Sequence, residues 1–220
     1  MKVLTMKRVS LLIALVLVIP SAGWASACAT ATLAVYDASG FSCNIGPLLF
    51  SSFSYSSSSS GGGFAPPDSG INVLPVTLLG ESGFQFSGAF LASSNQTADG
   101  VIDYSVTCLG CSLTDWLLTM VAGSTGTGSA SVVEVASNGQ SLFTFSGGGI
   151  NILSDGGAFT GGSTASVAKD IGVSGGTAGA AHLSVVDNLW STSVPEPGTL
   201  VLFGSGIVGL AGILRRRINL

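Results

Sequence analysis

The middle of this chain, residues 28–193, reads as all-β: a single antiparallel β-sandwich or jelly-roll-like domain between two apolar end segments. Three observations predict it. Apolar residues come in short runs, with almost no helical periodicity inside the domain. Those runs are separated by glycine and serine clusters, the punctuation of a many-stranded fold. The stretch is also apolar and poor in charge, the reverse of the balance that keeps a chain disordered.

The elements follow in chain order. Lys2, Lys7 and Arg8 precede an apolar run of 11 residues at 9–19, and Ala25-Ser26-Ala27 follows. A basic start, a greasy core and a small-residue A-x-A site make a signal peptide over residues 1–27, with Ala25 and Ala27 marking cleavage. Cleavage there leaves Cys28 at the new N-terminus, as in a lipoprotein, but Ala25 stands where a lipoprotein normally carries leucine. Residues 33–36, Phe53 with Tyr55, and 73–79 are the first strand candidates. Phe84, Phe86 and Phe90 recur at even spacing. The clearest strand is 101–107, where Ile102, Tyr104 and Val106 face one side and Asp103, Ser105 and Thr107 the other. Further strands are expected at 117–121, 131–135, Phe143 with Phe145, 166–173 and 180–186, for eight to ten in all. The tract from Ser56 to Ser60, with Gly61-Gly62-Gly63 after it, reads as a flexible surface loop. Residues 146–149 and 175–179 read as loops, and Asp99-Gly100 and Asp155-Gly156 as turns.

The far end is a tripartite tail. Val194-Pro195-Glu196-Pro197 leads into 17 residues without charge at 198–214, then Arg215, Arg216 and Arg217. That run matches the short end of what crosses a hydrocarbon core of roughly 30 Å, predicting one C-terminal transmembrane helix. The arginines hold its end in the cytoplasm as a stop. The two prolines forbid helix through the motif, so Glu196 stands on an extended stalk beside the bilayer.

A proline–glutamate–proline motif, a glycine-rich apolar helix and an arginine cluster in this order resemble the PEP-CTERM sorting domain of Gram-negative bacteria, over residues 194–217. The resemblance implies recognition of Pro195, Glu196 and Pro197 by exosortase, an integral-membrane transpeptidase-like enzyme, and processing close to them. It implies association with exopolysaccharide and biofilm matrix. The expected route runs through the Sec translocon, with signal peptidase removing the leader and the C-terminal helix giving a transient hold on the inner membrane. The destination is the cell surface or the extracellular space.

Charge agrees with that topology. Six of the seven Lys and Arg residues lie in the two ends, and residues 28–193 carry one base, Lys169, against ten acids. So acidic a segment repels phosphate backbones, which excludes nucleic-acid binding. Four cysteines in an exported protein read as two disulfides, and the favoured pairing is Cys28 with Cys43 and Cys108 with Cys111. The first closes a loop worth about 3 kcal/mol in the chain-entropy model. The second spans Leu109-Gly110 at a strand end. Redox chemistry there would need a helix N-terminus to lower the thiol pKa.

No catalytic constellation emerges, and no metal or cofactor is expected. His182 is the sole histidine, so a multi-histidine metal site is excluded, and no nucleophile elbow accompanies it. Asp99, Asp103, Asp115 and Glu134 have no spacing that singles out a glycosidase pair. Calcium held by acidic loops suits the composition, yet no Asp-x-Asp-x-Asp loop is present. The expected role is a non-enzymatic surface or matrix protein. The alternative is an extracellular carbohydrate-binding module, which would need Tyr36, Trp116 or Trp190 on an exposed face.

Overall fold

Alternating side chains give each strand one face to bury, and two sheets form that bury those faces against each other. The computed structural model describes residues 25–193. In spatial order the first sheet contains Ser26–Ala27 (β1), Ser42–Ile45 (β3), Leu48–Ser60 (β4) and Thr97–Cys108 (β7). It continues with Thr164–Ser174 (β13), Ser129–Ala136 (β9), Ser141–Gly147 (β10) and Ile150–Ile152 (β11). The second contains Ser154–Ala158 (β12), Ser112–Thr125 (β8), Ala180–Ser193 (β14), Glu81–Ser93 (β6), Asn72–Leu78 (β5) and Ala31–Thr32 (β2). Every pairing is antiparallel except the two-residue bridge of β1 to β3.

The core follows the alternation. On β7 the side chains of Ile102, Tyr104 and Val106 are buried while Asp103, Ser105 and Thr107 point outward. Phe84, Phe86 and Phe90 of β6 meet them from the other sheet. Edge-on aromatic contacts fill one end of the sandwich, with Phe84 4.6 Å from Phe50 and 5.4 Å from Tyr36 between ring centres. Trp116, Trp190 and Phe159 fill another region, the two indoles 5.4 Å apart.

Four sequence readings need correction. Residues 33–36 form a single helical turn (α1, Leu33–Tyr36), not a strand. Leu33 and Tyr36, three apart, are both buried, whereas a strand would have paired Leu33 with the exposed Val35. The Tyr36 hydroxyl donates to the Ala29 carbonyl at 2.7 Å and fixes that turn. The serine tract is no loop either. Ser56 to Ser60 complete β4, each opposite a residue of β7 from Val101 to Thr97. The tract is exposed, so backbone pairing alone builds it and no hydrophobic pattern announces it. The turn comes just after it, at Gly61 and Gly62 with φ of 62° and 91°.

Asp99-Gly100 and Asp155-Gly156 lie inside β7 and β12 rather than in turns. Gly100 is there for space: a Cβ at this position would sit 2.8 Å from the buried Phe90 ring. Gly100→Ala is therefore expected to cost about 1–3 kcal/mol through overpacking, read as a lower urea midpoint with unchanged slope. Finally, the strands among the described residues number fourteen rather than eight to ten, the excess coming from β1, β2, β3, β11 and β12, which are only two to five residues long. Segments so short show no period in a sequence.

Cys28 is bonded to Cys43, with Cα atoms 4.8 Å apart, and Cys108 to Cys111 across the β7–β8 turn, where Gly110 has φ of 74°. With its sulfur in a disulfide, Cys28 has no thiol to acylate. Among the described residues no helix is long and apolar enough to cross a membrane; the expected span at 198–214 lies outside them.

Candidate functional site

The alternation of β13 carries one anomaly. Ala165, Val167, Ile171 and Val173 point into the core, and Lys169, in phase with them, does the same. It is fully buried. Directly across the ladder stands Glu134 of β9, also fully buried, and the two side chains form an ion pair. Asn188 reaches down from β14 of the opposite sheet, its Oδ1 3.4 Å from Lys169 Nζ. The Tyr104 hydroxyl donates to that same oxygen, and Trp190 Nε1 donates to the Tyr104 oxygen at 3.4 Å. The Asn188 amide nitrogen donates to the Leu117 carbonyl at 3.2 Å, which orients the carboxamide. Phe86 lies with its ring centre 5.9 Å from the ammonium nitrogen.

Burial dominates the electrostatics here. Desolvation lowers the Lys169 pKa, only partly offset by Glu134, and raises that of Glu134, partly offset by Lys169. Desolvation, with Glu134 close by, also pushes the Tyr104 phenol well above its ordinary value. One Glu134 oxygen, Oε1, has no hydrogen-bond partner among the described residues. Burying an ion pair in this way seldom adds stability over apolar packing. The remaining acids of residues 28–193 have no other Lys or Arg in that segment to pair with, so its one strong cation sits inside rather than on the surface.

The readings from sequence are scattered by comparison. Tyr36, Trp116 and Trp190 are all buried. His182 lies on β14 along an open groove of about 590 Å³ with Phe64, Leu91 and Gln96, its ring packed across Gly123. Among the described residues, no three His, Cys, Asp or Glu side chains converge to hold a metal ion. Ala25 and Ala27 flank the first residue of β1, so cleavage after Ala27 would remove that two-residue bridge and the Ala25 carbonyl to which the Asn44 side chain donates at 3.1 Å. Val194, Pro195, Glu196, Pro197, Arg215, Arg216 and Arg217 lie outside the described residues. From sequence alone Glu134 reads as one more carboxylate and Lys169 as a lone charge. The inward phase of Ala165, Val167, Ile171 and Val173 was the available signal for the lysine.

The family model for the PEP-CTERM protein-sorting motif matches residues 193–217. This chain carries a PEP-CTERM sorting motif. The PEP-CTERM motif makes it an exported protein that exosortase sorts, held at the membrane in transit toward the cell surface. No curated protein matches the chain. A solved structure, the enzymatically active domain of tailspike protein 4 of bacteriophage CBA120, is similar at 14% identity and a TM-score of 0.24. That match covers 64% of this chain and only 19% of the tailspike chain. At that distance it assigns no function to the PEP-CTERM protein.

Proposed function

We propose that this is a non-enzymatic structural protein of the cell surface or extracellular matrix of a Gram-negative bacterium, associated with exopolysaccharide in biofilm. The PEP-CTERM motif at 193–217 carries the reading. On it the leader passes through the Sec translocon and is removed by signal peptidase. The apolar segment 198–214 then holds the chain in the inner membrane while exosortase acts near Pro195-Glu196-Pro197. The body suits such a role. Two disulfides fit an oxidising compartment, and the acidic exterior disfavours phosphate-rich partners. The carbohydrate-binding alternative loses support, since the aromatics it would use are packed in the core.

The test is fractionation of a producing culture followed by co-sedimentation of the released protein with the cell's own exopolysaccharide. Saturable recovery with the polymer is expected. A protein that stays in the supernatant at every polymer concentration would contradict the matrix assignment.

A further inference from the structure

The cluster of Lys169, Glu134 and Asn188 has no evident structural purpose as an ion pair, yet it holds the parts of an amide-forming reaction. A primary amine, a carboxamide and a carboxyl group lie together in a dry pocket walled by Phe86, Tyr104 and Trp190. We propose that Lys169 and Asn188 condense into an intramolecular isopeptide bond, with Glu134 as the catalytic proton carrier, so that the domain covalently ties its two sheets together. This inference is independent of the exopolysaccharide reading.

The step balances without any added reagent. Glu134 takes a proton from the Lys169 ammonium, leaving a neutral amine whose lone pair attacks Cγ of Asn188. The Nζ–Cγ bond forms and the carbonyl electrons move onto Oδ1. Glu134 delivers that proton to Nδ2 and takes the surplus proton from the attacking Nζ; the electrons on Oδ1 fall back to re-form the carbonyl, the Cγ–Nδ2 bond breaks, and ammonia leaves. One amine and one carboxamide become a secondary amide plus ammonia, with no change of oxidation state.

Each requirement of that step has a residue behind it. The amine lies 3.4 Å from Oδ1 of the carboxamide it attacks, an oxygen one bond away from the electrophilic Cγ. The Tyr104 hydroxyl already donates to Oδ1, where negative charge develops, and burial keeps that phenol protonated. The Leu117 carbonyl holds the leaving nitrogen. Burial disfavours both charges of the Lys169–Glu134 pair, which favours the neutral amine and neutral acid that attack requires. The unpartnered Glu134 Oε1 leaves one carboxyl oxygen free to relay a proton. The bond would join residues 19 apart, on β13 of one sheet and β14 of the other.

The experiment expresses the full chain, purifies the folded protein with both disulfides intact, and maps it by chymotryptic digestion and tandem mass spectrometry. The expected result is a branched peptide in which the Lys169 side chain carries the Asn188 segment, lighter than its two parts by one ammonia. Asn188→Ala and the near-isosteric Glu134→Gln should both lose that peptide to background. Separate, unmodified Lys169 and Asn188 peptides from folded wild-type protein would overturn the proposal whatever the variants do. Undiminished cross-linking in Glu134→Gln would overturn the role of Glu134.

Discussion

In an Asn188→Ala parent, where Lys169 stays a free amine, Lys169→Ala is expected to destabilise the folded domain by at least about 3 kcal/mol, the cost of leaving a buried charge without its partner. Glu134 would remain fully enclosed with no cation beside it, so it must hold a proton to stay folded. The pH dependence follows from the direction of its shift. Burial already raises the Glu134 pKa, and loss of Lys169 removes the main influence pulling it down. A carboxyl whose folded pKa lies above its unfolded value contributes stability that is present at acid pH and lost as pH rises through the folded value. The variant should therefore be more stable at about pH 4 than at about pH 8 in urea titrations, relative to its Asn188→Ala parent at the same pH. Converting the pair together to Lys169→Met and Glu134→Leu should recover most of the loss, because an apolar pair leaves no charge uncompensated. A Lys169→Ala variant as stable as that parent at both pH values would show that the pair is not held in a dry interior.

Glu196→Ala is expected to abolish trimming in a host that carries the matching exosortase, leaving full-length protein in the membrane fraction. Pro195 and Pro197 keep the backbone extended on either side, so the substitution removes a carboxylate without changing the presented shape. The readout is a shift from released to membrane-bound protein on blotting, with the mature fraction falling to background. Asp99→Ala, in β7 where it pairs with Ser58 and Gly172, serves as the control and should be processed normally.

What could be read without coordinates depended on whether a feature was linear. The sorting motif is a contiguous string whose order carries its meaning, so it stood out. Strand β7 was legible because Ile102, Tyr104 and Val106 alternate with polar neighbours. Ser56 to Ser60 were not, since a strand with exposed, uniform side chains has no pattern to show. The turn at Leu33–Tyr36 imitates a strand because four residues are too few to distinguish a period of two from one of 3.6. The buried cluster was hidden for a different reason. Its members come from β9, β13 and β14, and only the sheet order brings 134, 169 and 188 together. An inward lysine in an apolar phase was the one trace it left in the sequence.

The motif is the handle by which the protein is sorted. The decisive measurement is a pulse-chase of the wild-type chain in two isogenic hosts, one with its exosortase and one with that gene deleted. Conversion to a shorter, released form is expected in the first host and persistence of the full-length, membrane-bound form in the second. Equal trimming and release in both would contradict it.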